Sequence, residues 1–454
     1  MVETALLFVL AAALAVTLVW MAMPIFNQLS GKQLVFHLSD PHLWVVILIT
    51  ILATLLASSI YPALLLSSFD PLKALKSKLS ISRGDAWFRK ALVVIQFSAS
   101  VILIVGTLVI YRQLNYIRSR DLGYDKSHVL TFWMRGASKQ YETLKTALLH
   151  QPGVEGVATS SGSIIDNAAI TGNTQWDGKL PGQTFIIHPI AIDKDFMDFF
   201  KMQLVAGKGF IGAPADSTNF IFNETAVREL GFKNPVGKRF KIRETQGTIV
   251  GVVKDFHFES MKKKIEPAVF LTLPARLNRM YVRTPGTNAA AVIQATGELF
   301  KQYNKDYPFS YTFLDDSFNQ LYQSEEREGT LFFYFAGIAI FISCLGLFAL
   351  AAYTTHIRFR EIGIRKVLGA SVTGIVRLLA KDFVQLVALG VLIAVPIAWY
   401  AMHLWLAGFA YRTSLDWSIF VLAALMTLAI AILTISFQAV KAALANPAES
   451  LQTE

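Results

Sequence analysis

Apolar residues fall into six long runs separated by more polar connections. The runs lie at roughly residues 4–23, 44–66, 91–112, 329–353, 380–402 and 417–440. Each is close to the ~20 residues that an α-helix needs to cross the hydrocarbon core of a bilayer. The first run could instead be a signal peptide, but the residues before it include Glu3 and no Lys or Arg, and no convincing cleavage site follows the run before Pro24. The pattern therefore predicts six transmembrane helices.

Basic residues near the runs predict the orientation of these helices. The loop after the second run is rich in Lys and Arg, and the connection 354–379 is similarly basic. Loop 403–416, in contrast, contains Arg412 as its only Lys or Arg. Because Lys and Arg prefer the cytoplasmic side, we expect both basic loops and both termini inside and residues 113–328 outside. This distribution also explains the formal charge of +10 without a nucleic-acid partner.

The outer segment alternates strand and helix patterns. Strands are predicted at 128–134, 185–192, 219–222, 238–242, 248–257, 268–273, 281–283 and 309–314, and helices at 141–150, 195–201 and 289–303. Helical patterning over 111–120 and 317–328 predicts a stalk at each end of the segment. The fold class is thus an α-helical membrane protein with six predicted transmembrane helices plus one extracytoplasmic α+β domain of one or two subdomains.

Composition agrees with a membrane protein and narrows the chemistry. Hydrophobic residues make up 54% of the chain, and the mean hydropathy is +0.46. Cys344 is the only cysteine, which excludes an intrachain disulfide and a thiolate metal cluster. The spans contain few charges, so an ion pathway is disfavoured. Their main polar residues are expected to form interhelical hydrogen bonds: Gln96, Ser98, Ser100 and Gln385.

The connection between the fourth and fifth runs has an amphipathic pattern. Residues 358–370 alternate apolar and charged positions at helical spacing, which predicts a short helix along the membrane surface. Gly369 suits the C-terminal end of this helix, and Ser371 can cap the next one. By spacing alone, an ordinary basic loop that only sets topology fits equally well.

The string from Arg360 to Ala370, REIGIRKVLGA, resembles the coupling segment of the FtsX/MacB-type permeases of ABC transporters. Residues 222–238 and 249–260 resemble recurring signatures of the extracytoplasmic domain of that family. In the family the coupling segment docks on a separate ATPase, so the resemblance implies that Glu361, Arg365 and Lys366 face the ATPase and the apolar residues face the membrane. The implied ATPase-coupling residues are Arg360, Glu361, Ile362, Gly363, Arg365, Lys366 and Gly369.

A short repeat suggests how the chain is organised. Asp70-Pro71 and Asn446-Pro447 both come after a span, and in both cases a Leu stands four positions after the proline. So short a match can also arise by chance. Residues 1–80 would hold two spans of an incomplete first repeat, 81–112 a cytoplasmic linker and the third span, 113–328 the outer domain with stalk helices, and 329–454 three spans with coupling helix 358–370. The chain resembles the rear part of an eight-span member of the family, or a shortened member.

Motifs for catalysis are weak. Gly231–Arg239 is the nearest approach to a phosphate loop, but five residues separate its glycines and Arg239 replaces the hydroxyl residue, so a turn is expected and no nucleotide or other cofactor is assigned to this chain. Asp255, His257 and Glu259 alternate along a predicted strand, where a solvated strand end is a simpler interpretation than a metal or acid–base site.

The resemblance implies a membrane permease subunit without an ATPase motif of its own, with ATP bound by its partner. Hydrolysis would move the outer domain (mechanotransmission) and export or extract an amphiphilic peptide, lipoprotein or drug. The implied partners are a cytoplasmic ABC ATPase and the bacterial inner membrane, with a dimer or partner permease and a periplasmic adaptor left open. The alternative is a transmembrane regulator that activates a cell-wall hydrolase or sensor kinase without transport.

Overall fold

The computed structural model describes residues 2–35, 39–67 and 83–444. It divides into two compact units. One comprises Met1–Arg112, Glu325–His403 and Ser414–Glu454, and the other comprises Gln113–Ser324 and Leu404–Thr413. The repeated exit motif around Pro71 and Pro447 lies outside the described residues.

The α-helices in the described ranges are numbered in chain order. They are α1 Val2–Ser30, α2 Pro41–Ser67, α3 Arg83–Ser119, α4 Tyr141–Leu149, α5 Phe196–Phe199, α6 Glu224–Glu229, α7 Ala289–Tyr303, α8 Leu314–Gln320, α9 Gln323–Ile357, α10 Phe359–Val367, α11 Val372–Ala407 and α12 Trp417–Leu444. Within the described ranges, α1, α3, α9, α11 and α12 are long and apolar enough to cross a membrane, and α2 contributes a shorter apolar stretch, Pro41–Leu56. Multiple apolar spans are therefore confirmed, whereas the count of six is not.

The helical unit has a buried interior formed by four helices. Phe97 of α3, Leu347 of α9, Val387 of α11 and Ala431 of α12 belong to one buried cluster. Polar side chains join the same helices. Ser98 Oγ donates to the Gly390 carbonyl at 2.9 Å, and the hydroxyls of Ser100 and Ser343 are 3.1 Å apart. The predicted interhelical hydrogen bonds are thus confirmed for both serines, whereas Gln385 lies on an exposed face.

The other unit is the α+β domain, and it contains two sheets. The strands are β1 Val129–Trp133, β2 Gly156–Ser160, β3 Thr174–Trp176, β4 His188–Ala191, β5 Leu204–Gly207, β6 Asn219–Asn223, β7 Arg239–Ile242, β8 Thr245–Val253, β9 Ala268–Leu271, β10 Arg279–Arg283 and β11 Tyr311–Phe313. Four form an antiparallel sheet in the order β11-β1-β10-β2. The second sheet has the order β3-β7-β8-β6-β9-β4, with β5 paired to β8, and is mixed because β6/β8 and β4/β9 are parallel.

Aromatic side chains fill the interior of this domain. One buried cluster contains Phe132 of the first sheet, Phe300 of α7, and Phe222 and Phe240 of the second sheet. Phe222 and Phe240 meet edge to face at 4.9 Å between ring centroids, an arrangement favoured by the charge distribution of aromatic rings. The two sheets therefore share one core.

Two sequence predictions need correction here. The strand predicted over 248–257 ends at Val253, because the Asp255 backbone N–H donates to the Glu224 carboxylate at 3.0 Å instead of to a neighbouring strand. The stalk predicted over 317–328 is not one helix, since α8 ends at Gln320 and α9 begins at Gln323. The opposite stalk is confirmed as helical, because α3 continues to Ser119.

Candidate functional site

The candidate coupling segment forms helix α10, and both of its ends follow local capping rules. Gly369 has a left-handed φ of +87°. The N–H of Ala370 donates to the Arg365 carbonyl at 2.9 Å, and the N–H of Gly369 donates to the Lys366 carbonyl at 3.1 Å. These two bonds form a Schellman motif, in which glycine suits the left-handed position. Ser371 Oγ then accepts a hydrogen bond from the Gly374 N–H at 3.2 Å and caps α11, so both capping predictions are confirmed.

The apolar residues of α10 have unequal surroundings. Ile362 is only 4% exposed and packs against Ile375 and Leu379 of α11 and Ala439 of α12. Ile364 and Leu368 are 51% and 79% exposed. The resemblance implied that the apolar residues face the membrane, but Ile362 instead packs against protein and fastens α10 to the two helices that follow it.

The charged residues of α10 lie on the more accessible side. Arg365 and Glu361, one helical turn apart, form an ion pair at 2.7 Å in which both side chains are nearly half exposed. Such a pair stabilises a helix by about 0.5 kcal/mol at most, so both groups remain available to a partner. Lys366 is partly buried, Gly363 is buried, and the Arg360 side chain lies outside the described part of the chain.

Sequence analysis missed a residue that helps to fix this segment. Arg358, at the start of α10, pairs with Asp382 of α11 at 3.2 Å. The signal was available, because Asp382 is an isolated acidic residue near a strongly basic connection. Together, Ile362 and Arg358 attach α10 to α11 by one apolar and one ionic contact.

In the outer domain, the two signature sequences meet around Asp255. Its carboxylate accepts hydrogen bonds from the N–H and the hydroxyl of Thr225, both at 2.8 Å, while Glu224 accepts the Asp255 N–H. Asn223 Oδ1 caps α6 by accepting the Ala226 N–H at 3.0 Å. These residues therefore hold the start of α6 to the chain after β8.

Asp255, His257 and Glu259 do not converge. Glu259 pairs with Lys263 at 3.1 Å, and the His257 ring meets the Tyr411 ring edge to face at 4.7 Å between centroids. Among the described residues, no group of three or more potential metal-binding side chains is close enough to hold an ion. The turn at Gly231–Lys238 leads into β7, as the sequence predicts.

Residues 404–413, the end of α11 and the start of the loop that follows it, belong to the outer-domain unit. The N–H of Tyr411 donates to the Met261 carbonyl at 3.2 Å, and Gln113 Nε2 donates to the Tyr411 carbonyl at 2.9 Å. Gln113 is fully buried. Burial and, to a smaller extent, the Arg120 charge lower the pKa of His257 to about 4, against the opposing effect of Asp255 and Asp121. His257 is therefore neutral beside Tyr411 at neutral pH.

The solved structures that are similar to this chain include three single domains or regions of larger proteins. The periplasmic region of MacB from Actinobacillus actinomycetemcomitans is 15% identical, with 45% of this chain and 96% of that chain covered and a TM-score of 0.33. The extracellular domain of the noncanonic ABC-type transporter YknZ from Gram-positive bacteria is 15% identical (41% and 98% covered, TM-score 0.30). A domain of a putative permease protein from Porphyromonas gingivalis is 21% identical (35% and 69% covered, TM-score 0.28).

A search of curated proteins gives no match. Two family models do match, in succession along the chain. The MacB-like periplasmic core domain covers residues 94–299, and the FtsX-like permease C-terminal region covers residues 333–447, which includes α10. The chain therefore belongs to the FtsX/MacB-type permease family of ABC transporters.

Proposed function

We propose that this chain is the membrane subunit of an ABC-type system in the bacterial inner membrane, in which a separate cytoplasmic ATPase moves α10 and thereby the outer domain. Its work would be mechanotransmission: export or extraction of an amphiphilic peptide, lipoprotein or drug, with ATP bound only by the partner. The observation that supports this most is the construction of α10, in which a buried Ile362 lies beside the accessible pair Glu361 and Arg365.

This construction suits the transmission of a displacement. Packed side chains resist compression, so a push on α10 would shift α11 and α12 rather than be absorbed at the contact of Ile362. The Schellman motif and the Ser371 cap fix the turn between α10 and α11. The accessible charges would then set which partner docks, since complementary charges govern specificity more than they govern stability.

The test is a charge exchange, Glu361→Arg with Arg365→Glu, on the full chain. The exchanged pair can still form within α10, so the helix should be retained while the charges presented to the ATPase are inverted. We expect at least about tenfold weaker association with the ATPase of the same system, because like charges brought together at an interface are costly. Unchanged association would refute the proposed role of these residues.

The matched control is Lys305→Glu with Asp306→Lys, an exchange of exposed charges in the outer domain. It should leave ATPase association unchanged. Transport is then measured in proteoliposomes that contain the permease and the ATPase. ATP-dependent transfer of an amphiphile supports export, whereas ATP-dependent activation of a cell-wall hydrolase or a sensor kinase without transfer would identify a regulator.

A further inference from the structure

The outer domain contains a cavity of about 630 Å³ that no step above uses. It lies against β4, β6, β9 and the β7–β8 hairpin. Phe220, Ile242 and Leu271 contribute apolar wall, and Ser161, Asn167 and Asn278 contribute polar groups. A volume of several hundred Å³ with a largely apolar wall and a few polar groups is typical of ligand sites.

Two amide groups at this cavity have unused hydrogen-bonding capacity. Asn167 is 7% exposed, and its Oδ1 accepts the Ala169 N–H at 3.3 Å. Its Nδ2, a donor, has no partner among the described residues, and neither does the buried Oδ1 of Asn278, an acceptor. A buried polar atom without a partner costs about 1–3 kcal/mol, so both amide groups gain if they rotate towards a ligand that satisfies these atoms. A peptide group provides the matching C=O and N–H.

The charge at the cavity favours an anion. Arg243 and Arg276 line it together with one carboxylate, Glu244. Within the described part of the chain neither arginine has an ion-pair partner. Arg243 has a left-handed φ of +53° in the two-residue turn between β7 and β8, a position at which glycine is usual. A residue other than glycine that is held in this backbone conformation lowers the stability of the fold by about 1 kcal/mol or more, and such residues are concentrated at functional sites.

We propose that this cavity binds a short apolar peptide with a free C-terminal carboxylate. Asn167 Nδ2 and Asn278 Oδ1 would pair with a peptide group, and Arg243 and Arg276 would pair with the carboxylate, which guanidinium groups bind in a forked geometry. The inference deepens the proposed function, on which it rests for the presence of a substrate outside the membrane, by naming the class of that substrate.

The probe is a dansylated pentapeptide of alternating alanine and leucine, used as the free acid and as its C-terminal amide. Binding to the full chain in detergent, without ATPase, is followed by fluorescence anisotropy. We expect the acid to bind about tenfold more tightly than the amide, since the charge-assisted bond to arginine is then lost. Arg276→Gln should abolish this difference, while the control Arg239→Gln, on an exposed position of β7, should preserve it.

Asn278→Leu separates a ligand role from a structural one. Because its Oδ1 lacks a partner in the described chain, removing it should leave the Tm unchanged or raised and weaken peptide binding about tenfold. Failure of the unaltered chain to bind the acid at millimolar concentration, equal binding of acid and amide, or a lowered Tm in Asn278→Leu would each overturn the proposal. These results leave ATPase association untouched, so failure here is distinguishable from failure of the coupling role of α10.

Discussion

Replacing Ile362 by alanine tests whether one buried side chain fastens α10 to the helices that follow it. The matched control is Ile364→Ala, which makes the same chemical change two residues away in the same helix. Both substitutions raise helix propensity by the same few tenths of a kcal/mol, so this effect cancels in the comparison. What differs is exposure, which is 4% for Ile362 and 51% for Ile364.

The expected magnitude follows from this difference. The change from isoleucine to alanine removes three carbons, worth about 0.8 kcal/mol each when fully buried, or about 2.4 kcal/mol at Ile362. At Ile364 about half of the side chain is already exposed, so the loss should be about 1.2 kcal/mol or less. The cavity left beside Ile375 and Leu379 increases the first value further.

Hydrogen exchange of the α10 amides measures the free energy of opening this helix locally. In the full chain in nanodiscs without ATPase, Ile362→Ala should accelerate exchange across Phe359–Val367 by about 50-fold, and Ile364→Ala by less than about tenfold. Equal acceleration in the two variants, or none in Ile362→Ala, would refute the conclusion that Ile362 fastens α10.

Two further predictions concern the stability of the outer domain. Lys145 lies within 2.5 Å of Asp193 and 2.6 Å of Asp195, and the side chains of Lys145 and Asp193 are 6% and 4% exposed. Lys145→Met would leave Asp193 as a buried charge without an ion-pair partner, and should lower the free energy of unfolding by about 3–5 kcal/mol. Asp195→Asn, the control, should lower it by less than about 1 kcal/mol. Both values are measured by thermal unfolding of the full chain. The second concerns His257, whose pKa is about 4 in the folded chain and about 6.5 when unfolded. The stability that neutral His257 contributes is complete above pH ~6.5 and is lost progressively as the pH falls towards 4, with a slope of at most about 1.4 kcal/mol per pH unit. His257→Gln should therefore flatten the dependence of Tm on pH over this range. An unchanged dependence would contradict this assignment.

Features set by neighbouring residues were predictable from the sequence. Uninterrupted apolar runs predict long helices because a bilayer leaves the backbone no partner except itself. Gly369 indicated the C-terminal end of α10, and Ser371 indicated the start of α11, because capping depends on the few residues around each cap. Helix α7 was predicted with its observed bounds, Ala289–Tyr303, for the same reason: its apolar positions repeat at helical spacing.

Features set by distant residues were not predictable. β2, with the sequence GVATS, lacks strong strand alternation and is a strand because it pairs with β10 more than 110 residues later. The burial of Ile362 depends on packing with Ala439, which is far away in sequence. The cavity depends on Asn167 and Asn278, whose unpartnered atoms become apparent only once the chain is folded. Spacing indicates amphipathicity but does not reveal which element covers the apolar side.

The route from α10 to the outer domain is also altered by these contacts. In chain order the third and fourth predicted spans lead directly into the outer domain, but Ile362 packs in a cluster with residues of α11 and α12, the fifth and sixth predicted spans. Helix α11 continues from Val372 to Ala407, about 54 Å at 1.5 Å per residue, and the following loop is bonded to the outer domain through Tyr411. Under the proposed function, α11 is then a second connection along the chain between α10 and the outer-domain unit, besides α9. Tyr411→Gly should accordingly weaken the response of the outer domain to ATP binding by the partner while leaving ATPase association intact, an outcome that a mechanism restricted to the two stalks does not predict.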